Sequence, residues 1–406
     1  MPNKALTVNG RSYAWPGQPT VIVCIDGSEP AYMDEAVAAG MMPWLKEARQ
    51  SGSDYIADCV VPSFTNPNNM SIVTGVASAV HGIAGNFFWD PDSGEEIMMN
   101  DPKLLRVGTI HAAFSQAGAK VVVVTAKDKL RSMLGHELKG IAFSAEKASE
   151  ANQADNGIDN VLDLVGLPQP NVYSADVSEF LFAAGVRLME TIRPDLMYLS
   201  TTDYIQHKHA PGTPVANAFY AMMDRYWQQL DALGAVIALT ADHGMNAKHT
   251  ENGEPKVIYL QDLLDDWFGV DAARVILPIT DPYVAHHGAL GSFATAYMSD
   301  RVDEFISRLK EVSGIMLVLT RAEAAEKFEL PEDRIGDVVI VSDRNTTLGT
   351  SADRHDLSGL DAPLRSHGGI TEQKVPLILS RPTPGVDAKR RLRNFDIFDL
   401  VLNEAQ

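Results

Sequence analysis

Short apolar runs rich in β-branched side chains recur along the chain and are separated by amphipathic segments. The runs predicted to be strands are Val21–Ile25, Tyr55–Val61, Val121–Thr125, Leu196–Ser200, Ala235–Thr240 and Val375–Leu379. The segments with helical periodicity are Met42–Gln50, Leu105–Ala117, Val177–Thr191 and Val215–Leu233. Near-continuous apolar strands divided by helices are typical of parallel sheets buried on both faces. The sequence therefore predicts an α/β fold with a mostly parallel central sheet and helices on both faces.

The pattern changes between residues 255 and 349. Tyr297–Met298 and the run Val338–Asp343 are strand-like, whereas Val302–Val312 has helical periodicity. We therefore expect a smaller α+β insert at 255–349 in a core formed by residues 1–254 and 350–406. This insert begins after one group of candidate site residues and ends before another. It is therefore expected to form a cap or lid over a site that they share.

Composition and charge exclude several classes of protein. The chain has 406 residues and a formal net charge of -19, which argues against a nucleic-acid partner. Its two cysteines, Cys24 and Cys59, are too few for a disulfide framework and are expected to pack in the core. The N-terminal residues lack an apolar signal-peptide region, and no stretch is long enough to span a bilayer. We expect a cytoplasmic enzyme without a membrane partner. The oligomeric state stays open, with a homodimer among the alternatives.

Acidic and imidazole side chains lie where several predicted strands end. In open α/β sheets, ligands bind just beyond the carboxyl ends of strands, so residues remote in sequence can meet there. Each residue alone has a simpler explanation as a turn, surface or loop residue. Their combination is hard to explain in that way, and mixed carboxylates and imidazoles suit zinc or a similar ion. The candidate ligands are Asp26, Asp203, His207, Asp242, His243 and His367.

Thr65 is a candidate nucleophile. It precedes Asn66-Pro67-Asn68-Asn69 and an apolar run, so it is expected at the start of a helix. One interpretation is a helix N-cap, for which threonine is well suited. The other is chemical, because a helix N-terminus favours a phosphoryl group and a metal ion would activate the hydroxyl. The residues alone leave both interpretations open.

In this order, these residues resemble the ligand pattern of the alkaline phosphatase superfamily, in particular its nucleotide pyrophosphatase/phosphodiesterase branch. The resemblance spans nearly the whole chain, from VIVCIDG to RSHGG. It implies an alkaline-phosphatase-like core and two zinc ions per chain. The implied ligand sets are Asp203, His207 and His367 for one ion, and Asp26, Thr65, Asp242 and His243 for the other.

Within that superfamily, flanking segments such as PSFTNPNNMSIVTG, VTAKDKLRSMLG and RSHGGITE are most similar to hydrolases that cleave the carbon–phosphorus bond of phosphonoacetate. The resemblance implies that Thr65 attacks phosphorus, that a phosphothreonine forms, and that acetate and phosphate are released. The closer alternative is a phosphodiesterase or nucleotide pyrophosphatase of the same superfamily. A non-catalytic metal-binding protein is a more distant alternative, which the Thr65 hydroxyl disfavours.

Five further residues bear on a small-molecule phosphonate substrate, three in the predicted core and two in the insert. Asn86 matches the position at which the phosphodiesterase branch holds a phosphoryl oxygen with an amide, although a turn asparagine is the alternative. Lys127 and Lys129 follow a predicted strand, and both would point to one side if that strand continued. Two ammonium groups there would suit a substrate that carries a carboxylate, although such lysines are commonly solvated. In the insert, His286 and His287 are candidate donors from the lid.

Overall fold

The structure, a computed structural model, describes residues 5–270, 272–279, 289–298, 300–387 and 389–406. Within these ranges the strands are β1 (Ala5–Val8), β2 (Arg11–Ala14), β3 (Thr20–Cys24), β4 (Ser53–Asp58), β5 (Phe87–Asp90), β6 (Glu95–Met98), β7 (Val121–Thr125), β8 (Ile141–Ser144), β9 (Leu196–Ser200), β10 (Val236–Thr240), β11 (Asn246–Ala247), β12 (Val257–Tyr259), β13 (Ala273–Ile276), β14 (Phe293–Met298), β15 (Ile315–Thr320), β16 (Val338–Ser342), β17 (Thr347–Gly349), β18 (Arg365–Ser366) and β19 (Lys374–Leu379). The helices are α1 (Pro30–Ala38), α2 (Pro43–Ser51), α3 (Thr65–Thr74), α4 (Ser78–His81), α5 (Ile110–Gln116), α6 (Asp128–Leu134), α7 (Gln153–Asn156), α8 (Val161–Val165), α9 (Asp176–Thr191), α10 (Tyr204–Lys208), α11 (Pro214–Ala232), α12 (Leu260–Phe268), α13 (Val302–Leu309), α14 (Arg321–Phe328) and α15 (Ile397–Asp399). In this described part, no helix combines the length and the apolar character that crossing a bilayer requires.

The central sheet has seven strands in the order β4-β19-β10-β3-β9-β7-β8. Neighbouring strands are parallel except at β19, which runs antiparallel to both β10 and β4. The six predicted strands all belong to this sheet, and the prediction of a mostly parallel α/β fold is confirmed. The sequence pattern missed β8, a strand of four residues at the sheet edge.

Apolar helices cover both faces of the sheet. In β3, Val21 and Val23 belong to one apolar cluster, and Ile22 and Cys24 belong to another. This alternation follows from the two-residue period of a strand. The first cluster includes side chains from α1, α2, α9 and α11, and the second includes side chains from α3, α5 and α6. The strands are buried on both faces, as their apolar sequences predict.

Two predicted boundaries are displaced for identifiable reasons. The strand predicted over Tyr55–Val61 ends at Asp58. Beyond that point the backbone N–H of Val60 donates to Asn68 Oδ1 on α3 at 2.7 Å, and the chain leaves the ladder. The helix predicted over Leu105–Ala117 begins only at Ile110, because the Thr109 side chain caps it.

The region between Asp242-His243 and His367 contains a second, antiparallel sheet in the order β13-β14-β16-β15. It has its own apolar cluster, to which α12 and α13 contribute. Next to this sheet, the backbone N–H of Ser292 donates to the carbonyl of His367 at 2.8 Å. The division of the chain into a core and a 255–349 cap stays a prediction, and His286 and His287 lie outside the described residues.

The three middle strands of the central sheet end side by side. The strands β10, β3 and β9 are neighbours and run parallel. Asp242, Asp26 and Asp203 follow their carboxyl ends. Next to β9 lies β7, whose last residue, Thr125, precedes Lys127 by two positions. The topology thus places three predicted ligands, Asp26, Asp203 and Asp242, together at the carboxyl ends of these parallel strands, as expected for this architecture.

Candidate metal centre

The loops after β3 and β10 bring Asp26, Asp242 and His243 together. Asp26 Oδ1 lies 3.3 Å from His243 Nε2, and Asp242 Oδ2 lies 3.8 Å from the same nitrogen. The backbone N–H of Gly27 donates to Asp242 Oδ1 at 3.2 Å, which connects the two loops. Gly27 has a φ of 70°, and a Cβ there would lie 3.0 Å from the Cβ of Asp203. Glycine therefore permits the close approach of a third loop.

Asp203 and His207 lie on one helical turn, as their spacing predicts. Asp203 precedes α10, and its carbonyl accepts from the backbone N–H of His207 at 3.0 Å. The side chains meet with 2.8 Å between Asp203 Oδ2 and His207 Nε2. His367, which follows β18, places its Nε2 3.9 Å from the same carboxylate oxygen. This carboxylate therefore has two imidazole nitrogens beside it.

Backbone carbonyls orient the three imidazoles. The ring Nδ1 atoms of His207, His243 and His367 lie 3.1, 2.9 and 2.8 Å from the carbonyl oxygens of Arg365, Gly244 and Ser63, respectively. When Nδ1–H donates to such a carbonyl, Nε2 carries the lone pair. Metal-binding histidines commonly have this arrangement, which fixes the tautomer and the ring orientation.

The donor atoms are close enough to hold metal ions. One ligand atom from each of Asp203, His207 and His367 lies within 4.8 Å of the others, and the same is true of Asp26, Asp203 and His243. The first group equals one of the ligand sets that the resemblance implied. The second group shares Asp203 and lacks Asp242 and Thr65. Asp26 Oδ1 is buried, and its 3.3 Å contact with His243 Nε2 lacks good hydrogen-bond geometry, so it would gain from a cation. Carboxylate oxygens and imidazole nitrogens together fit a zinc-like ion.

The charges in this cluster also favour a cation. Burial, together with the carboxylates of Asp203 and Asp242, raises the pKa of Asp26. Burial would lower the pKa of His243, but Asp242 and Asp26 outweigh it and raise that pKa to about 9. The pKa of His367 is lowered, by burial and by the neighbouring His243 and His207. Buried carboxylates that repel one another in this way are stabilised by a divalent ion.

Thr65 begins α3 at the edge of this cluster. The N-cap of α3 is Phe64 and no side chain caps the helix, so the interpretation of Thr65 as an N-cap is wrong. Instead, Thr65 Oγ1 lies 3.5 Å from His243 Nε2. The hydroxyl therefore points into the cluster of predicted ligands, where a nucleophile would have to be.

Asn69, one helical turn beyond Thr65, is a buried site residue that the sequence analysis missed. Its amide donates to Asp242 Oδ2 at 3.2 Å and to the carbonyl of Thr65 at 3.1 Å. Its Oδ1 accepts from the hydroxyl of Tyr198 at 3.0 Å. Asn69 thus connects a predicted ligand to the helix of the nucleophile. The four-residue spacing from Thr65 is the signal that could have indicated it.

Asn86 lies next to the start of α3. It is buried, and its Oδ1 accepts from the backbone N–H of Asn66 at 3.2 Å. Its own backbone N–H donates to the carbonyl of Pro278 at 2.9 Å. The amide is therefore fixed beside the residue that follows Thr65. A role in holding a phosphoryl oxygen stays a prediction.

The two lysines do not follow the strand geometry that the sequence suggested. The strand β7 ends at Thr125 and α6 begins at Asp128, so Lys127 lies between the elements and Lys129 lies in the helix. The premise that a continuing strand directs both to one side is therefore wrong. The turn forms because the backbone N–H of Asp128 donates to Glu146 Oε2 at 2.8 Å. Contacts between these lysines and a substrate stay a prediction.

Residues 20–369 match the model of the type I phosphodiesterase / nucleotide pyrophosphatase family, and the chain belongs to that family. Ectonucleotide pyrophosphatase/phosphodiesterase 1 of Saccharomyces cerevisiae is 35% identical over 82 residues, which are 19% of this chain and 11% of that protein. The matched segment thus spans only a small part of this relative.

Three other comparisons show higher sequence identity. Phosphonoacetate hydrolase from Sinorhizobium meliloti 1021, in its crystal structure in complex with phosphonoformate, is 59% identical in sequence to this chain. The alignment covers 100% of both chains and has a TM-score of 0.96. The same enzyme in complex with phosphonoacetate gives 58% identity and the same TM-score over 100% of both chains. Phosphonoacetate hydrolase of Penicillium oxalicum is 61% identical over 41 residues, which are 9% of this chain and 57% of that protein.

Proposed function

We propose that this protein hydrolyses the carbon–phosphorus bond of phosphonoacetate to acetate and phosphate and that it uses two zinc ions per chain. The observation that carries the proposal is the cluster of Asp26, Asp203, His207, His243 and His367, with Thr65 at its edge. Similarity to the Sinorhizobium enzyme over the full length of both chains supports the choice of substrate.

The ligands would divide into two sets in this proposal. The first set is Asp203, His207 and His367. In the second set, Asp26, Asp242 and His243 would act together with Thr65. Bound divalent ions would neutralise the phosphonate oxygens and lower the pKa of the Thr65 hydroxyl. The buried Asp26 oxygen without a hydrogen bond and the Nε2 positions of the histidines support this assignment.

Thr65 would perform the covalent step. Its Oγ1 attacks phosphorus, the carbon–phosphorus bond breaks, and the bonding electron pair stays on carbon. Asn86, beside the backbone of Asn66, would orient a phosphoryl oxygen for this attack. A water molecule then hydrolyses the phosphothreonine, which restores the hydroxyl and releases phosphate. The Thr65 hydroxyl gives up its proton to solvent when it attacks, and the carbanion takes up one proton from solvent to give acetate.

The carbon leaving group is the chemical difficulty of this reaction. A simple alkyl carbanion is too basic to leave at neutral pH. An α-carboxylate allows the carbanion to delocalise as an enolate, whose extra negative charge must be offset. Lys127 and Lys129 are the proposed cations, because Lys127 follows β7, whose neighbour β9 leads to Asp203. Such cations would lower the activation barrier, because they interact with negative charge that grows as the bond breaks.

A comparison of two substrates tests the proposal against the phosphodiesterase alternative. Purified protein with added zinc is incubated with phosphonoacetate or with a p-nitrophenyl phosphodiester, and phosphate or nitrophenolate is measured. We expect kcat/KM to be larger for phosphonoacetate. A larger kcat/KM for the diester would overturn the proposed function in favour of a phosphodiesterase, and no phosphate from phosphonoacetate would overturn it whatever the diester gives.

A further inference from the structure

A fully buried ion pair, Lys248–Glu372, lies next to the segments that carry His243 and His367. Lys248 Nζ is 3.0 Å from Glu372 Oε1, and both side chains have 0% exposure. Lysine and glutamate are rarely buried to this extent. The desolvation of such a pair offsets much of its attraction, and apolar replacements are often equally stable. Stability alone is therefore a weak explanation for this pair.

Glu372 contacts the segments that follow both histidines. Its Oε2 accepts from the backbone N–H of Gly369, two residues after His367, at 2.9 Å. Its backbone carbonyl accepts from the N–H of Gly244, the residue after His243, at 2.7 Å. A single residue thus sets the distance between two loops that each carry a predicted metal ligand.

Other donors fix the Glu372 carboxylate itself. Its Oε1 accepts from Asn246 Nδ2 at 2.6 Å and from Thr371 Oγ1 at 2.6 Å, in addition to Lys248. Asn246 lies on β11, which pairs with β18 just before His367. With donors on both oxygens, the carboxylate cannot rotate without breaking a contact. Its position is therefore determined from several directions.

Lys248 extends this connection to the smaller sheet. Its Nζ also donates to the carbonyl of Arg344, in the segment between β16 and β17, at 2.8 Å. Its backbone N–H donates to the carbonyl of Leu364, just before β18, at 2.8 Å. The ammonium group thus joins the smaller sheet to the carboxylate that connects the two ligand loops.

We propose that Lys248 and Glu372 are positioning residues for the metal centre, which fix the spacing of His243 and His367. These rings stack with centroids 3.6 Å apart and an interplanar angle of 7°, so a small displacement of either loop would misalign both. The inference rests on the proposed function, in which each histidine serves a different ion. It adds that neither ligand set is fully formed unless this buried pair is intact.

The test measures metal binding and does not depend on activity. Zinc is titrated into metal-free wild-type, Glu372→Gln and Lys248→Met proteins, and the visible spectrum is recorded after loading with cobalt(II). We expect each variant to bind zinc roughly 10- to 100-fold more weakly. This is the usual loss of affinity when a residue that orients a metal ligand is replaced. The cobalt(II) bands should shift, because they report ligand geometry. The increase in Tm on zinc binding should be smaller than in the wild type.

A milder variant and a control keep the test decisive. Thr371→Val removes one donor but leaves the ion pair, so it should fold and bind zinc about 3- to 10-fold more weakly. Asp224→Asn is the matched control, because this buried carboxylate accepts from the backbone N–H groups of Trp44 and Leu45 in α2. It should lower Tm and leave zinc affinity unchanged.

The outcomes separate this inference from the proposed function. Unchanged zinc affinity and cobalt(II) spectra in Glu372→Gln, Lys248→Met and Thr371→Val, with normal binding by the wild type, would overturn only the inference. A wild-type protein that binds no zinc would overturn both. Equal losses of affinity in Asp224→Asn would show a general effect of destabilisation, and the inference would also fail.

Discussion

The imidazole rings of His243 and His367 are stacked, with centroids 3.6 Å apart and planes inclined by 7°. They come from distant segments, the loop after β10 and the residue after β18. Each ring keeps its own backbone acceptor, Gly244 for His243 and Ser63 for His367. In the proposed assignment they serve different ions. The two ligand sets therefore meet at this stack, and a change on one side should affect the other.

Asn69 is expected to orient Asp242. Because its amide donates to Asp242 Oδ2 and to the carbonyl of Thr65, Asn69→Leu leaves both acceptors without this partner. We expect zinc affinity to fall roughly 10- to 100-fold, as for other residues that orient metal ligands. Titration of zinc into metal-free protein measures this. Wild-type affinity in the folded variant would contradict the role.

Thr65 is predicted to form the covalent intermediate. Thr65→Ala should fold, retain some zinc and lose kcat by several orders of magnitude, as expected when a covalent nucleophile is removed. Thr65→Ser keeps a hydroxyl and should retain measurable turnover. Acid quenching during turnover, followed by peptide mass spectrometry, should find phosphate on the peptide that contains Thr65. Near-normal turnover of Thr65→Ala would mean that water attacks phosphorus directly.

Lys127 and Lys129 are predicted to act on the carbon leaving group. Lys127→Met and Lys129→Met should lower kcat for phosphonoacetate, because charge on the leaving group grows during bond breaking. A phosphate ester with a phenolate leaving group needs no such cation, so its slow hydrolysis should persist. Lys103→Met, at an exposed position, serves as the control. If both substrates lost activity equally, the lysines would serve the phosphoryl group or the fold instead.

His81 makes stability depend on pH away from the metal centre. Its Nε2 lies 2.9 Å from Ser71 Oγ, and its Nδ1 accepts from the backbone N–H of Ile83 at 3.1 Å. Burial lowers the pKa of His81 from 6.5 to about 3. The unfolded chain therefore takes up a proton near pH 6.5, whereas the folded chain does so only near pH 3. The contribution of His81 to the free energy of unfolding is fully present above pH 6.5 and is lost as the pH falls from 6.5 to about 3.

His81→Gln provides the measurement for this pH dependence. We expect its free energy of unfolding to fall less steeply than that of the wild type between about pH 6.5 and about pH 4.5. Urea unfolding of metal-free protein across this range measures the slope. Parallel slopes for the two proteins would show that His81 is not the group responsible.

The sequence predicts the fold and the main ligands for physical reasons. Strands buried on both faces must be apolar throughout, so Val121–Thr125 and Leu196–Ser200 were predicted with the bounds that the structure has. Asp26 and Asp203 follow two buried strands, β3 and β9, within three residues. Asp26 and Asp203 are therefore visible in the sequence, and the topology brings them together.

Residues that act through other residues were harder to predict. Asn69 and Glu372 each have a key partner far away in sequence, Asp242 and Lys248, and only the spacing of Asn69 from Thr65 gives a local signal. The strand geometry considered for Lys127 and Lys129 was wrong, because a contact with Glu146 begins α6 where the strand would have had to continue. Tertiary contacts decided each of these cases.

The most direct test of the account is the product balance of a metal-dependent reaction. Protein stripped of metal with a chelator is incubated with phosphonoacetate, with and without added zinc, and acetate and phosphate are both quantified. We predict no products without zinc and equal molar amounts of acetate and phosphate once zinc is restored. Full turnover by the metal-free protein, or phosphate released without acetate, would contradict the account.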